Sequence, residues 1–316
     1  MISILKPAVQ TTVQDLGRPG LRHLGVGRSG AMDLLSLTIG NYLVGNAAGA
    51  AALELCIPPA RIRLDADRAI SLTGADCSAR LDGVPIDVGR RVVVAAGQVL
   101  DLQAARSGIR AYLCIAGGID VPEVLGSRST DLQAAFGGLD GRPLRRGDVL
   151  MISSPTSAPA PLTQDVRASA SVLLPQMRRL IRVLPGPEFD GFAAEARDDL
   201  FKASWKLCSQ SNRMGYRLEG PTLVRQDTAE LKSRAVFPGL IQVPAGGAPI
   251  VLMSDAQATG GYPGIGCVIA ADQWQLAQVA PGMSIQFEPC TRAAALSALH
   301  QQQGYLQRLR RSLHAH

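Results

Sequence analysis

Short apolar runs separated by turn residues dominate the chain. "RIRL", "RRVVVAAGQVLDLQ", "GIRAYLCIAGG" and "GDVLMISS" precede the midpoint, and "LIRVLPG", "PGLIQVP", "GAPIVLMSD", "GCVIAAD" and "GMSIQFEP" follow it. Each is about strand length and lies among turn-forming residues, so the pattern predicts a mainly β protein with few helices. Three segments carry a helical period instead. "SGAMDLLSLTIGNYLVGN" places Met32, Leu35, Ile39 and Leu43 on one face, with Ser29 as the expected N-cap and Gly45 and Asn46 as stop residues. "GPEFDGFAAEARDDLFKASW" predicts a turn and then a helix, and "TRAAALSALHQQQGYLQRLRRSL" a terminal helix broken near Gly304.

Between the halves lies "SSPTSAPAPLTQDVRASAS", Ser153 to Ser171, rich in Ser, Pro and Ala and without an apolar period. The expected organisation is an N-terminal β-rich lobe over 1–152, a linker over 153–171, a second β lobe over 172–290 and a basic terminal helix over 291–316. Three words recur in order. "ARLDGVPI" from Ala79 resembles "YRLEGPTL" from Tyr216, "GIRAYLCI" from Gly108 resembles "GAPIVLMS" from Gly247, and "GDVLMI" from Gly147 resembles "GMSIQF" from Gly282. Similar offsets point to two related lobes, and a ligand site between them is expected.

Composition narrows the function classes. The chain is 47% hydrophobic and 18% charged, enough for ordinary soluble cores, and its net charge of +6 owes half to Arg308, Arg310 and Arg311 at the C-terminus. No aromatic residues interleave with basic ones elsewhere, which argues against nucleic-acid binding. The six cysteines are dispersed without C-x-x-C spacing, and no apolar run is long enough to span a membrane. A reduced, cytoplasmic protein is expected. His23 is the only histidine before the terminal segment, so neither a histidine triad nor a His-rich zinc site is predicted, and no metal is expected.

"GVGRSG", Gly25 to Gly30, matches the glycine pattern of dinucleotide-binding loops. Such a loop needs an apolar strand running into its first glycine, and "TTVQDLGRPGLRHL" is not one. What survives is a glycine-rich turn presenting Arg28 and Ser29 to a carboxylate or phosphate, or a plain capped turn. No Walker A sequence occurs.

Longer motifs are more specific. "VQDLGRPGLRHLGVGRSGAMD" (Val13 to Asp33), "AGGIDVPEVLGSRSTDLQAAFGGLDGRPLRRGD" (Ala116 to Asp148), "VLPGPEFD" (Val183 to Asp190), "SNRMGYRLEG" (Ser211 to Gly220) and "PGLIQVPAGGAPIVLMSDAQATGGYP" (Pro238 to Pro263) resemble the biotin-dependent carboxyltransferase family, also described as allophanate hydrolase subunit 2 proteins. The resemblance implies cyclophilin-like β-barrel modules. It also implies one subunit of a bacterial ATP-dependent 5-oxoprolinase, which opens 5-oxoproline to L-glutamate together with two other subunits, one of them allophanate hydrolase subunit 1-like. Two other activities occur in the family: a carboxyltransferase component of a urea carboxylase or allophanate hydrolase-like system, and a non-enzymatic regulator that antagonises a kinase inhibitor. ATP is then used by the complex, with its binding chain unassigned, and no M-K-M sequence offers this chain a covalent biotin. The chain departs from the family pattern at Ala258, where a threonine is common, and at Arg234, where an acid is common.

Opening an unactivated lactam with ATP calls for cations and N–H donors, a carboxylate to handle protons, and amides or hydroxyls to orient the ring. Asp255, Arg28 and Asp33 are the catalytic candidates. Ser29, Arg128, Asn212, Arg213, Gln257, Thr259 and Tyr262 are the substrate-binding ones. Each has a purely structural alternative: an Asx-type turn around Asp255, an ion pair for Arg213, a capped helix start for Arg128, Ser129 and Asp131.

Overall fold

The structure, a computed structural model, describes residues 1–155, 180–226 and 231–314. Most of the expected linker, residues 156–171, lies outside them. The chain forms two compact units, the first comprising Met1–Arg18, Ser29–Gln176 and Gly304–His316, the second Pro19–Arg28 and Met177–Gln303.

The first unit contains β1 (Ile2–Lys6), β2 (Gln10–Gln14), β3 (Ala52–Cys56), β4 (Ala60–Leu64), β5 (Arg68–Asp76), β6 (Arg80–Leu81), β7 (Val84–Pro85), β8 (Arg91–Val94), β9 (Val99–Leu102), β10 (Ser107–Ile115), β11 (Ile119–Asp120) and β12 (Val149–Ile152). They make one sheet ordered β11-β12-β1-β4-β9-β6-β7 and another ordered β2-β3-β10-β5-β8. Period-two alternation sets the inward faces. In β4, Ala60, Ile62 and Leu64 are buried and Arg61 and Arg63 exposed. These apolar residues join Ile2 and Ile4 of β1, Leu53 and Leu55 of β3, and Leu113 and Ile115 of β10 in one core.

Helix α1 (Leu34–Leu43) packs on β5 and β10. Its approach is close because Gly40 has no side chain: a Cβ there would lie 2.7 Å from Cys114 Sγ and 2.9 Å from Thr73 Oγ1, and Ser71 Oγ donates to the Gly40 carbonyl at 2.7 Å. The helix starts later than its apolar period suggests. Asp33, not Ser29, is the N-cap, its carboxylate accepting from Ser36 N at 2.8 Å and Ser36 Oγ at 2.6 Å. Ser29 sits at φ 52 and donates its hydroxyl to Asp131 instead.

The second unit contains β13 (Leu180–Pro185), α2 (Ala194–Lys202), β14 (Ser204–Leu207), β15 (Gly215–Glu219), β16 (Arg234–Ala235), β17 (Leu240–Gln242), β18 (Ile250–Leu252), β19 (Thr259–Gly260), β20 (Gly264–Val268), the short α3 (Gln273–Ala277) and β21 (Ser284–Pro289). Seven strands close a barrel in the order β13-β20-β17-β18-β15-β14-β21, sealed by a parallel pairing of β13 with β21. Closure leaves the barrel no free edge. Trp205, Ile181, Val251 and Phe287 are almost fully buried, and the Trp205 indole donates to Leu200 O at 3.0 Å. The mainly β architecture with a closed barrel is thus present.

The recurring sequence words fall on or around strands in both units but with different partners. β12 pairs antiparallel with β1, whereas β21 pairs parallel with β13. Helix α4 (Arg292–His314) runs unbroken through Gly304. One glycine costs about 1 kcal/mol relative to alanine, too little to interrupt a long helix. All six cysteines are free, and burial pushes the Cys77 thiol up to about 12 and Cys267 to about 11. Among the described residues no helix is long and apolar enough to cross a membrane, and no group of acidic, histidine or cysteine side chains could hold a metal.

Candidate functional site

Two of the long sequence motifs meet in the barrel unit. β15 pairs with β18 through Gly215 and Leu252, and the backbone continues the match beyond the strands: Met253 N donates to Met214 O at 3.0 Å and Asp255 N to Arg213 O at 2.9 Å. "SNRMG" and "SDAQ" are therefore held side by side. The Arg213 guanidinium forks onto the Asp255 carboxylate, with both side chains buried. Asn212 Oδ1 accepts from Met214 N at 2.8 Å, which fixes its amide at the turn.

These turns wall a pocket of about 210 Å³. Its polar lining is rich in primary amides, from Gln210, Asn212, Gln242 and Gln257, joined by Arg217 and Tyr262, over apolar Met214, Ile250 and Leu252. Gln242 is only 1% exposed and donates from Nε2 to Tyr262 O at 3.2 Å. A Cβ at Gly260 would lie 3.1 Å from that same Nε2, so the glycine leaves room for the amide. Amides both donate and accept, so the lining suits a small ligand that carries a carbonyl and an N–H.

An arm from near the N-terminus adjoins this wall. Residues 19–28 belong to the barrel unit, and Arg22 Nη2 donates to Val236 O at 2.5 Å and Gln257 O at 2.7 Å. The arm holds a one-turn 3-10 helix (Arg22–Leu24) that Gly25 ends at φ 79. A turn thus stands where a dinucleotide loop would need a strand. Burial lowers the Arg28 pKa, and burial followed by the neighbouring Arg28 charge lowers that of Arg22.

The two departures from the family pattern are both accommodated. Arg234 forms a two-bonded ion pair with Glu188, which also accepts from Gly264 N at 2.7 Å. Burial alone would push the Glu188 carboxyl up, but Arg234, the Gly264 N–H and the Arg225 charge together hold it below the usual range. β16 pairs with β19, setting Arg234 opposite Gly260 and Ala235 opposite Thr259. Ala258 is buried, and its carbonyl accepts from Val236 N.

Three predicted residues, Ser29, Asp33 and Arg128, take part in buried polar networks of the first unit, and none lines the pocket. Asp15 accepts from Ser127 Oγ at 2.6 Å, Arg128 N at 2.6 Å and Gly17 N at 2.8 Å. The Arg128 guanidinium turns to Val121 O and Glu123. Ser29 donates to Asp131, and Asp33 caps α1 while its N–H donates to Tyr112 Oη. Tyr112 in turn donates to Glu54 at 2.7 Å; burial first, then the Glu54 and Asp33 charges, push its phenol well above the usual range.

Of the sequence candidates, the barrel unit brings Asn212, Gln257 and Tyr262 to one pocket, sets Arg213 and Asp255 behind it, and places Thr259 on the adjacent ladder. Sequence reasoning passes over Gln210, Arg217, Gln242 and Arg22. A signal for Gln242 does exist: it is a lone polar residue in the apolar run "LIQVP".

A family model for the carboxyltransferase domain, subdomain A and B, matches residues 24–289. The chain is 45% identical over 314 residues to the C-subunit of 5-oxoprolinase from Escherichia coli strain K12, covering 99% of each. It is 39% identical to the corresponding 5-oxoprolinase C-subunit of Haemophilus influenzae, covering 98% of each. The crystal structure of the K. lactis urea amidolyase superposes with a TM-score of 0.91 and 32% identity, over 98% of this chain and 20% of that one.

Proposed function

Since the chain belongs to the carboxyltransferase-domain family, subdomains A and B, we propose that it is the C-subunit of a cytoplasmic, multi-subunit, ATP-dependent 5-oxoprolinase. The observation that carries this reading is the match along almost the whole length with proteins named as that component. The amide-lined pocket supports it. 5-Oxoproline is a small lactam with one carboxylate, and Asn212, Gln242 and Gln257 offer both donors and acceptors to its ring N–H and C=O.

In this reading the lactam oxygen takes the γ-phosphoryl group of ATP with release of ADP. Water then adds to the activated carbon and the ring C–N bond breaks, and a further water releases inorganic phosphate to give L-glutamate. The pocket amides orient the ring, and Arg28 offers positive charge. Asp255 acts by holding Arg213, and through it the Asn212 turn, in place. Tyr262 and Thr259 border the same wall. Ser29, Asp33 and Arg128 shape the first unit. The remaining subunits, above all the allophanate hydrolase subunit 1-like one, complete the site; the chain that binds the nucleotide is left unassigned, and no Walker A sequence places it here.

One observation favours a second reading. The same fold occupies part of a urea amidolyase, so a carboxyltransferase component served by a biotinylated partner is the competing assignment. Reconstitution with the two partner subunits separates the two: glutamate formation from 5-oxoproline that requires ATP supports the first, and carboxyl transfer that requires a biotinylated protein supports the second.

A further inference from the structure

Strand pairing lines up three side chains across the barrel wall. Ile250 of β18 stands opposite Arg217 of β15 on one side and Gln242 of β17 on the other. Residues paired in this way point to the same face of a sheet, so Arg217, Ile250 and Gln242 form one row, roughly 10 Å long across two strand spacings. All three line the amide pocket. Gly215 lies two residues before Arg217 on the same face, and its missing side chain keeps the row open: a Cβ there would lie 2.9 Å from Ile250 Cγ2.

Both ends of the row carry unused hydrogen-bonding capacity. Gln242 is only 1% exposed, and its Nε2 donates to Tyr262 O at 3.2 Å. A carbonyl oxygen only accepts, so this bond fixes which end of the amide is nitrogen and leaves Oε1 as an acceptor. Among the described residues Gln242 Oε1 receives no hydrogen bond. The fully enclosed side-chain oxygens without a partner are Gln14 Oε1 and Tyr305 Oη, so Gln242 Oε1 still opens onto the pocket. Arg217 uses its backbone toward Ser211 and Cys208, while among the described residues its guanidinium has no ion pair or hydrogen bond. A solvated surface guanidinium is ordinary, but an amide oxygen this deeply set is normally satisfied.

We propose that Gln242 and Arg217 are the specificity-determining pair of this pocket: Gln242 Oε1 accepts the ring N–H of the ligand and Arg217 takes its carboxylate. The pair selects cyclic amides that carry an acid group. A lactone would set its ring oxygen against Oε1, acceptor facing acceptor, and a neutral lactam would leave the guanidinium to water. The inference deepens the 5-oxoproline reading and rests on it for the choice of ligand.

The test is a calorimetric titration of the full chain, as wild type, Arg217→Gln and Gln242→Met, with three ligands. These are 5-oxoproline, the corresponding lactone with oxygen in place of the ring N–H, and pyrrolidin-2-one, the same lactam without a carboxylate. Wild type is expected to bind 5-oxoproline about ten-fold or more tightly than either analogue, the scale of one charged or buried polar contact. Arg217→Gln should erase the preference over pyrrolidin-2-one and keep the one over the lactone. Gln242→Met should do the reverse, with circular dichroism confirming its fold; if it does not fold, the wild-type preference for lactam over lactone decides that half alone. No binding of 5-oxoproline by the wild-type chain, no preference for it over the analogues, or preferences that survive unchanged in folded variants overturn the proposal. Failure of the 5-oxoproline reading shows separately: the binding pattern holds while the reconstituted complex forms no glutamate.

Discussion

Arg213 and Asp255 share two parallel hydrogen bonds, Nε to Oδ2 at 2.8 Å and Nη2 to Oδ1 at 2.9 Å, with each side chain only 3% exposed. A buried pair of this kind is expensive to break from one side, because the surviving charge stays desolvated; single removals typically cost about 3–5 kcal/mol. Asp255→Ala and Arg213→Ala are each expected to lower the unfolding free energy by that order, read from the fall in denaturant midpoint multiplied by the m-value. A paired apolar replacement, Arg213→Met with Asp255→Leu, should recover part of the loss. If Asp255→Ala keeps wild-type stability while abolishing turnover, the carboxylate acts on substrate directly and the orienting role is wrong.

The Glu188–Arg234 pair is more exposed, with the Arg234 side chain at 37%, so solvent screening limits it to about 1 kcal/mol or less. Its carboxyl is held below the usual range in the folded chain. A lowered folded value means the contribution is present above the unfolded carboxyl's pKa and is lost as pH falls through the folded one. Urea midpoints of wild type and Glu188→Gln should therefore differ at pH 7, begin to close as pH falls through the ordinary carboxyl range of about 4, and converge only below it. A constant gap down to about pH 3 contradicts the assignment.

Gly25 and Gly30 look equivalent in "GVGRSG" but are not. Both have positive φ, yet a Cβ on Gly25 meets nothing within 4 Å, whereas one on Gly30 would lie 2.8 Å from Gly17 N and 2.9 Å from its Cα. Gly25→Ala should cost about 1 kcal/mol from the left-handed backbone alone. Gly30→Ala adds a backbone clash and should cost about 2 kcal/mol or more. Thermal melts of the two variants decide this, and equal losses would remove the packing role of Gly30.

Asn212 and Gln257 are exposed at the pocket rim, so replacing either with alanine should change stability by less than about 1 kcal/mol. Their effect belongs to binding: in the reconstituted complex the KM for 5-oxoproline should rise about ten-fold, the cost of one lost polar contact to substrate. Unchanged KM in both variants would move substrate away from this pocket.

The period-two pattern makes the β class legible because inward and outward residues alternate cleanly, as in β4. Helix ends are less legible. Ser29 satisfies the composition rule for an N-cap, but its hydroxyl is taken by Asp131, 102 positions away, and Asp33 does the capping. Ser29, Asp33 and Arg128 stand out as site candidates because each is a polar residue with a specific partner, distant for Ser29 and local for the Asp33 carboxylate and the Arg128 guanidinium, and the sequence does not reveal whether that partner is protein or ligand. Gln242 shows the converse, a buried amide whose meaning emerges only when β17 places it at the pocket.

The most direct measurement is ATP-dependent glutamate release from 5-oxoproline by this chain reconstituted with the two further subunits that the proposed 5-oxoprolinase assembly calls for. Release is expected to need all three chains and to fall when Asn212 or Arg28 is replaced. Full release from the two partners without this chain would contradict the assignment.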